Sequence, residues 1–85
     1  MTAIVNVQMF GKQEVSIYDP LKDEIIQSFV FTMPEAKDTA EYVIKAYDID
    51  DVVIIGPKLF TKKVGRVIQD LYTYTYQKEI NISYK

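Results

Sequence analysis

Apolar and polar residues alternate from Ala3 to Met9. Ala3, Val5, Val7 and Met9 fall on one side and Ile4, Asn6 and Gln8 on the other, which is the period of a strand. Phe10-Gly11-Lys12-Gln13 then reads as a turn, and Glu14 to Tyr18 resumes the alternation through Val15 and Ile17. Asp19-Pro20-Leu21-Lys22-Asp23 is a second turn, with proline presetting the bend. Glu24 to Phe31, rich in Ile, Phe and Val, completes an expected antiparallel meander. Beyond it the period changes. Ala36, Ala40, Val43, Ile44 and Tyr47 recur at helical spacing, behind a capping-box pattern in Thr32-Met33-Pro34-Glu35. Pro34 disfavours a helical Met33, so the capping position stays open between neighbours. Asp51 to Ile55 is apolar on both faces, as buried parallel strands are. Phe60, Val64, Val67, Ile68 and Leu71 mark a second helix from Leu59 or Thr61 to about Tyr74, and Glu79 to Tyr84 alternates as a last strand.

The resulting order is β-β-β-α-β-α-β, an α/β class in one domain over residues 1–85. Right-handed crossovers returning to one sheet give a five-stranded mixed sheet of order 3-2-1-4-5, with only strand 2 antiparallel. Both crossovers step the same way across the sheet, so both helices are expected on one face.

Composition narrows the chemistry. Eighty-five residues allow one domain, and a chain of this length buries roughly 60–65% of its unfolded surface. A hydrophobic content of 48% with a net charge of −2 is the balance of a folded chain. There is no cysteine, which removes thiol catalysis, disulfides and thiolate metal sites, and no histidine, which removes imidazole. A small domain without disulfide staples, and without a basic or long apolar N-terminal run, is expected in the cytoplasm. The longest apolar run, Val52 to Ile55, is too short to span a membrane. Net negative charge disfavours general nucleic-acid binding. Nine lysines to one arginine, with abundant Ile and Tyr, fit an AT-rich genome such as that of a phage, a plasmid or a low-GC bacterium.

The element order resembles the ribonuclease H-like superfold, including its minimal form in small ribosomal-protein-type domains. The stretch from Val52 through Gly56-Pro57-Lys58-Leu59-Phe60 to Gly65-Arg66-Val67 is similar to the strand, Gly-aromatic loop and Gly-Arg-Val helix of the 5S-RNA-binding ribosomal protein family. The superfold's nucleases hold two metal ions on carboxylates of strand 1 and near the end of strand 4. Here those places carry Asn6 and Ile55-Gly56, and the last strand has Glu79 only at its start. No catalytic residue, cofactor or metal is therefore expected.

Other motifs fail on spacing. Asp48-Ile49-Asp50-Asp51 is acidic, but a calcium loop needs glycine and glutamate where Val53 and Leu59 stand. Gly56-Pro57-Lys58 lacks the second glycine and the Lys-Ser/Thr pair of a phosphate loop. Tyr72, Tyr74, Tyr76 and Phe60 suit rim packing better than base stacking. Gly65 inside a helix is costly and implies close approach of another group, or chance.

Two surfaces remain. The topology gathers Lys12, Lys58, Lys62, Lys63 and Arg66 at the C-terminal ends of the parallel strands, with Lys85, where open α/β sheets bind ligands. It puts Asp19, Asp23, Glu24, Asp48, Asp50 and Asp51 at the other end. The helix-free face of the sheet offers Ile4, Phe10, Tyr18, Ile26 and Val30 as a candidate interface, alongside the polar Asn6, Ser16 and Ser28. An apolar patch there would call for a second copy or another protein. The expectation is a small non-catalytic interaction module, forming a homodimer or holding one protein partner. The alternative is a nucleic-acid accessory domain using the basic edge.

Overall fold

The computed structural model describes residues 1–85. Its strands are β1 (Thr2–Asn6), β2 (Gln13–Asp19), β3 (Glu24–Phe31), β4 (Asp51–Ile55) and β5 (Asn81–Tyr84), and its helices are α1 (Ala36–Ala46) and α2 (Lys58–Tyr76). The sheet has the order β3-β2-β1-β4-β5. β2 is antiparallel to both neighbours, and β1, β4 and β5 are parallel.

One face of this sheet carries the core. Cross-strand registers align Phe29, Val15, Val5, Ile54 and Tyr84 in one row and Gln27, Ile17, Ala3, Val52 and Ile82 in the next. Ile17 and Ile54, at the centre, are fully buried. Val43 of α1 and Val64 and Ile68 of α2 join the same buried cluster, so both helices cover the same face. The connections step in one direction, and right-handed crossover leaves no other choice.

Boundaries shift where side chains compete with the ladder. β1 stops at Asn6 rather than Met9, although Val7 still donates its N–H to the Ile55 carbonyl at 2.8 Å. β5 begins at Asn81 because α2 runs on to Tyr76 and ends on Gln77, whose left-handed φ of 56° closes the helix. α2 starts at Lys58, directly after Pro57. Gly65 faces β5, and a methyl group there would overlap the Tyr84 hydroxyl, which is the close approach that explains a glycine in mid-helix. The Gln69 amide, oriented to match donors with acceptors, pairs with the Ile80 peptide at 2.9 and 3.2 Å.

The start of α1 settles on Thr32. Met33–Glu35 form one turn of 3-10 helix ahead of Ala36. One Glu35 carboxylate oxygen accepts both the Thr32 N–H and the Thr32 hydroxyl, each at 2.8 Å. The Thr32 backbone donor, then its hydroxyl, hold the Glu35 carboxyl below the usual carboxylate range, and Lys12 adds a smaller pull. A folded-state pKa below the unfolded one stabilises the fold above the ordinary glutamate range and is lost as pH falls through the folded value. Glu35→Gln should therefore lower the thermal midpoint at neutral pH and flatten its decline towards ~pH 3, read by circular dichroism.

Truncation at the centre of the sheet tests the core. Ile54→Ala should cost about 2–5 kcal/mol in urea unfolding, the range for large-to-small changes at fully buried sites.

Candidate functional site

The basic end is built from three segments. The β1–β2 loop brings Met9, Phe10 and Lys12, the β4–α2 turn brings Gly56, Pro57 and Lys58, and the first turns of α2 bring Leu59, Lys62, Lys63 and Arg66. Gly56 has φ 147°, and a Cβ there would overlap the Val7 carbonyl oxygen. Its role is to let the end of β4 pass close to the chain leaving β1, so the glycine serves packing between strands.

The loop is held from beneath by Gln13, which is 1% exposed. Its side-chain oxygen accepts the Gln8 N–H, and its Nε2 donates to the Gln8 carbonyl at 3.1 Å and to the Gly11 carbonyl at 3.4 Å. One amide thus replaces the strand partner that the Gln8 peptide lost when β1 ended. Gly11, at φ 90°, makes the tight reversal. The loop presents Phe10 at 82% exposure and Met9 at 56%, while Leu59 on α2 is 80% exposed.

None of the five cations has an acidic partner. The ion pairs in the protein are Met1–Asp50 at 2.8 Å and Lys45–Glu41 at 2.9 Å. Leu59, Phe60, Lys62, Lys63 and Arg66 line a common groove. α2 begins without a capping side chain or an acid in its first turn. Cations near a helix N-terminus are unfavourable by about 0.3–1 kcal/mol each. α1 is arranged the other way, with Thr32, Glu35 and Asp38 at its start. Of the five cations, Lys58 alone lies in the first turn of α2, where its charge opposes the helix dipole. Glu14 and Glu35 lie at the same end and dilute the expected polarity.

The opposite end is acidic, but several acids are engaged. Asp19 is buried and accepts the Leu21 N–H at 2.9 Å, Asp51 accepts the Thr2 hydroxyl at 2.6 Å, and Asp50 pairs with the Met1 amine. Tyr18 donates its hydroxyl to Asp23, and that bond, with burial and the two nearby carboxylates, raises the tyrosine pKa.

The helix-free face differs from the apolar patch expected of it. Its rows read Val30-Glu14-Asn6-Ile55, then Ser28-Ser16-Ile4-Val53-Ser83, then Ile25-Tyr18-Thr2-Asp51-Asn81. Ile4, Tyr18 and Val30 lie on it. Phe10 does not, because the chain has left the sheet before it. Ile26 does not either. A bulge opposite Ile17 and Tyr18 makes Ile26 the extra residue of β3 and turns it against the core, so Ile25 takes the place opposite Tyr18. Polar groups pair across this face, Ser16 with Ser28 at 3.0 Å and Thr2 with Asp51. Its apolar part shrinks to the Ile4–Val53 centre with Val30, Ile55 and Ile25 at the margins.

The aromatic residues of α2 divide. Tyr72 packs on the core, Tyr76 meets Tyr72 at a 50° tilt with ring centroids 4.8 Å apart and donates to the Ile44 carbonyl at 3.2 Å, and Phe60 is half-buried against the core. Tyr74 stands apart in solvent. They form no stacking series. The space enclosed between sheet and helices is a cavity of about 40 Å³ lined by Ala3, Val5, Ala36, Ala40 and Val64, apolar and too small for a ligand.

Comparison of the chain with protein-family models, curated proteins and solved structures returns no match in any of the three.

Gln13 gave no signal in the sequence, since a glutamine beside a turn reads as solvated. Leu59 was legible only as an apolar residue off the stripe of its helix, and Met9 was expected on the inner stripe of a strand that ends at Asn6 and leaves it exposed. Gln13→Leu keeps the volume and removes the clamp. It should cost about 1–3 kcal/mol in chemical unfolding and speed amide exchange at Gln8, with exchange in β4 unchanged.

Proposed function

We propose that this chain is a non-catalytic interaction domain that holds an acidic protein surface with its basic end. The observation that supports this reading is the mixture found there. Phe10, Leu59 and Met9 are exposed at the same end as Lys12, Lys58, Lys62, Lys63 and Arg66, and none of these five cations forms an ion pair within the chain. Interfaces draw affinity from a few apolar anchors and gain specificity and association rate from charge around them. A surface made only for a phosphate backbone has no use for three large apolar side chains. The displaced pKa values favour a non-catalytic reading as well. Tyr18, Glu41 and Lys45, like Glu35, are each moved by a structural partner in the direction that keeps the present proton state, and a general acid or base near neutrality requires the reverse.

The strand order agrees with the ribonuclease H-like resemblance, and we take that likeness as architectural. The lysine-rich, cysteine-free composition favours a cytoplasmic setting and a phage or other mobile element as source. A nucleic-acid role is the second reading, favoured by the alignment of Lys58, Lys62 and Arg66 along one side of α2.

Two variants separate the readings: Phe10→Ala with Leu59→Ala, and Lys58→Glu with Lys62→Glu and Lys63→Glu. Each is compared with the parent in quantitative capture from host lysate at low and high salt, and in anisotropy titrations against DNA and RNA. Both should reduce capture of one protein by at least about tenfold. Retention of that partner by both variants overturns the proposal. Nucleic-acid binding abolished by charge reversal and untouched by the apolar pair replaces it with the second reading.

A further inference from the structure

The chain has three methionines and no cysteine to compete with them for an oxidant. Their surroundings differ. Met1 and Met33 are partly buried and pack against the hydrophobic core. Met9 is 56% exposed and lies outside both the core and the residues packed on it.

Oxidation turns the flexible, apolar thioether of methionine into a polar sulfoxide. At Met33 or Met1 the new oxygen would press against the core. At Met9 it would meet solvent, and the loop does not depend on that side chain for its shape. Gln13, itself buried, binds the Gln8 N–H, the Gln8 carbonyl and the Gly11 carbonyl, which lie on either side of Met9 and Phe10. None of these bonds uses the Met9 side chain. Met9 is therefore the methionine whose polarity is able to change while the fold stays as it is.

We propose that Met9 is an oxidation site through which peroxides weaken the grip of the basic end on its partner. The effect on binding rests on the function proposed above, in which Met9 is one of three apolar anchors; the selectivity for Met9 does not. In the step itself the Met9 sulfur lone pair attacks one peroxide oxygen, the O–O bond breaks and an S–O bond forms. The sulfur loses two electrons and hydrogen peroxide leaves as water. A methionine sulfoxide reductase reverses the change with two thiols, which leave as a disulfide and water. The sulfoxide carries no charge, so the cations keep theirs. The loss falls on the apolar contact, and the dependence of binding on salt is retained.

The test is limited treatment with hydrogen peroxide, which is removed before any binding is measured. Peptide mass mapping should find one oxygen on Met9 before Met1 or Met33 is modified, and circular dichroism should show an unchanged thermal midpoint. Capture of the lysate partner should fall by at least about fivefold, the loss expected of an interface residue that matters. Methionine sulfoxide reductase should restore it. Met9→Leu removes the sulfur, and its capture should be the same with and without peroxide. Oxidation of Met1 or Met33 as readily as Met9 overturns the inference, and so does a loss of capture that comes with unfolding or persists in Met9→Leu. Undiminished capture by the Met9-oxidised protein, where Phe10→Ala with Leu59→Ala abolishes it, overturns the inference and leaves the proposed function standing. Capture indifferent to both overturns the two together.

Discussion

Two crossovers that step the same way across a sheet can put their helices on only one side of it. Everything else in this fold answers to that constraint. All of the deep apolar burial is concentrated between one sheet face and two helices, with Ile17 and Ile54 at the middle. The second face has nothing to cover it. It is made tolerable in water by hydroxyls and carboxylates that pair across strands, as Ser16 does with Ser28 and Thr2 with Asp51. One topology thus demands two different rules of composition on the two sides of the same strands.

The same constraint decides which ends and edges are conspicuous. The two ends of the sheet carry opposite excesses of charge. Their residues differ in kind as well as sign. Acids at one end are largely tied to neighbouring hydroxyls, amides and the Met1 amine, whereas cations at the other stand free. The two edges differ too. β5 is short and anchored under α2 through Tyr84 and Gln69, while β3 is long and bare.

Elements with strong periodicity were legible in the sequence. The stripe in α1, the doubly apolar β4 and the strand order followed from spacing and handedness alone. What escaped was local. Alternation continues past Asn6 to Met9, but the buried Gln13 amide takes up the Gln8 peptide and the strand stops early. The period through β3 looks unbroken, yet one inserted residue rotates Ile26 into the core and exchanges it with Ile25. Charge location was readable from topology. Charge pairing was readable at Glu35, where the capping-box pattern announces the bond to the Thr32 N–H, and not at Asp19, whose carboxylate accepts the Leu21 N–H. Gly65 shows the limit from the other side, since its reason is a tyrosine hydroxyl nineteen positions away.

The clamp on the Gln8–Gln13 loop has a consequence for how Phe10 can be used. An unrestrained loop loses about 1–2 kcal/mol of backbone entropy per residue when a contact fixes it. Here a side-chain amide makes three hydrogen bonds to the loop backbone from a fully buried position, and that freedom is already gone in the unbound chain. Whatever covers Phe10 meets a loop backbone that is already ordered, so little of the contact energy is diverted to ordering it.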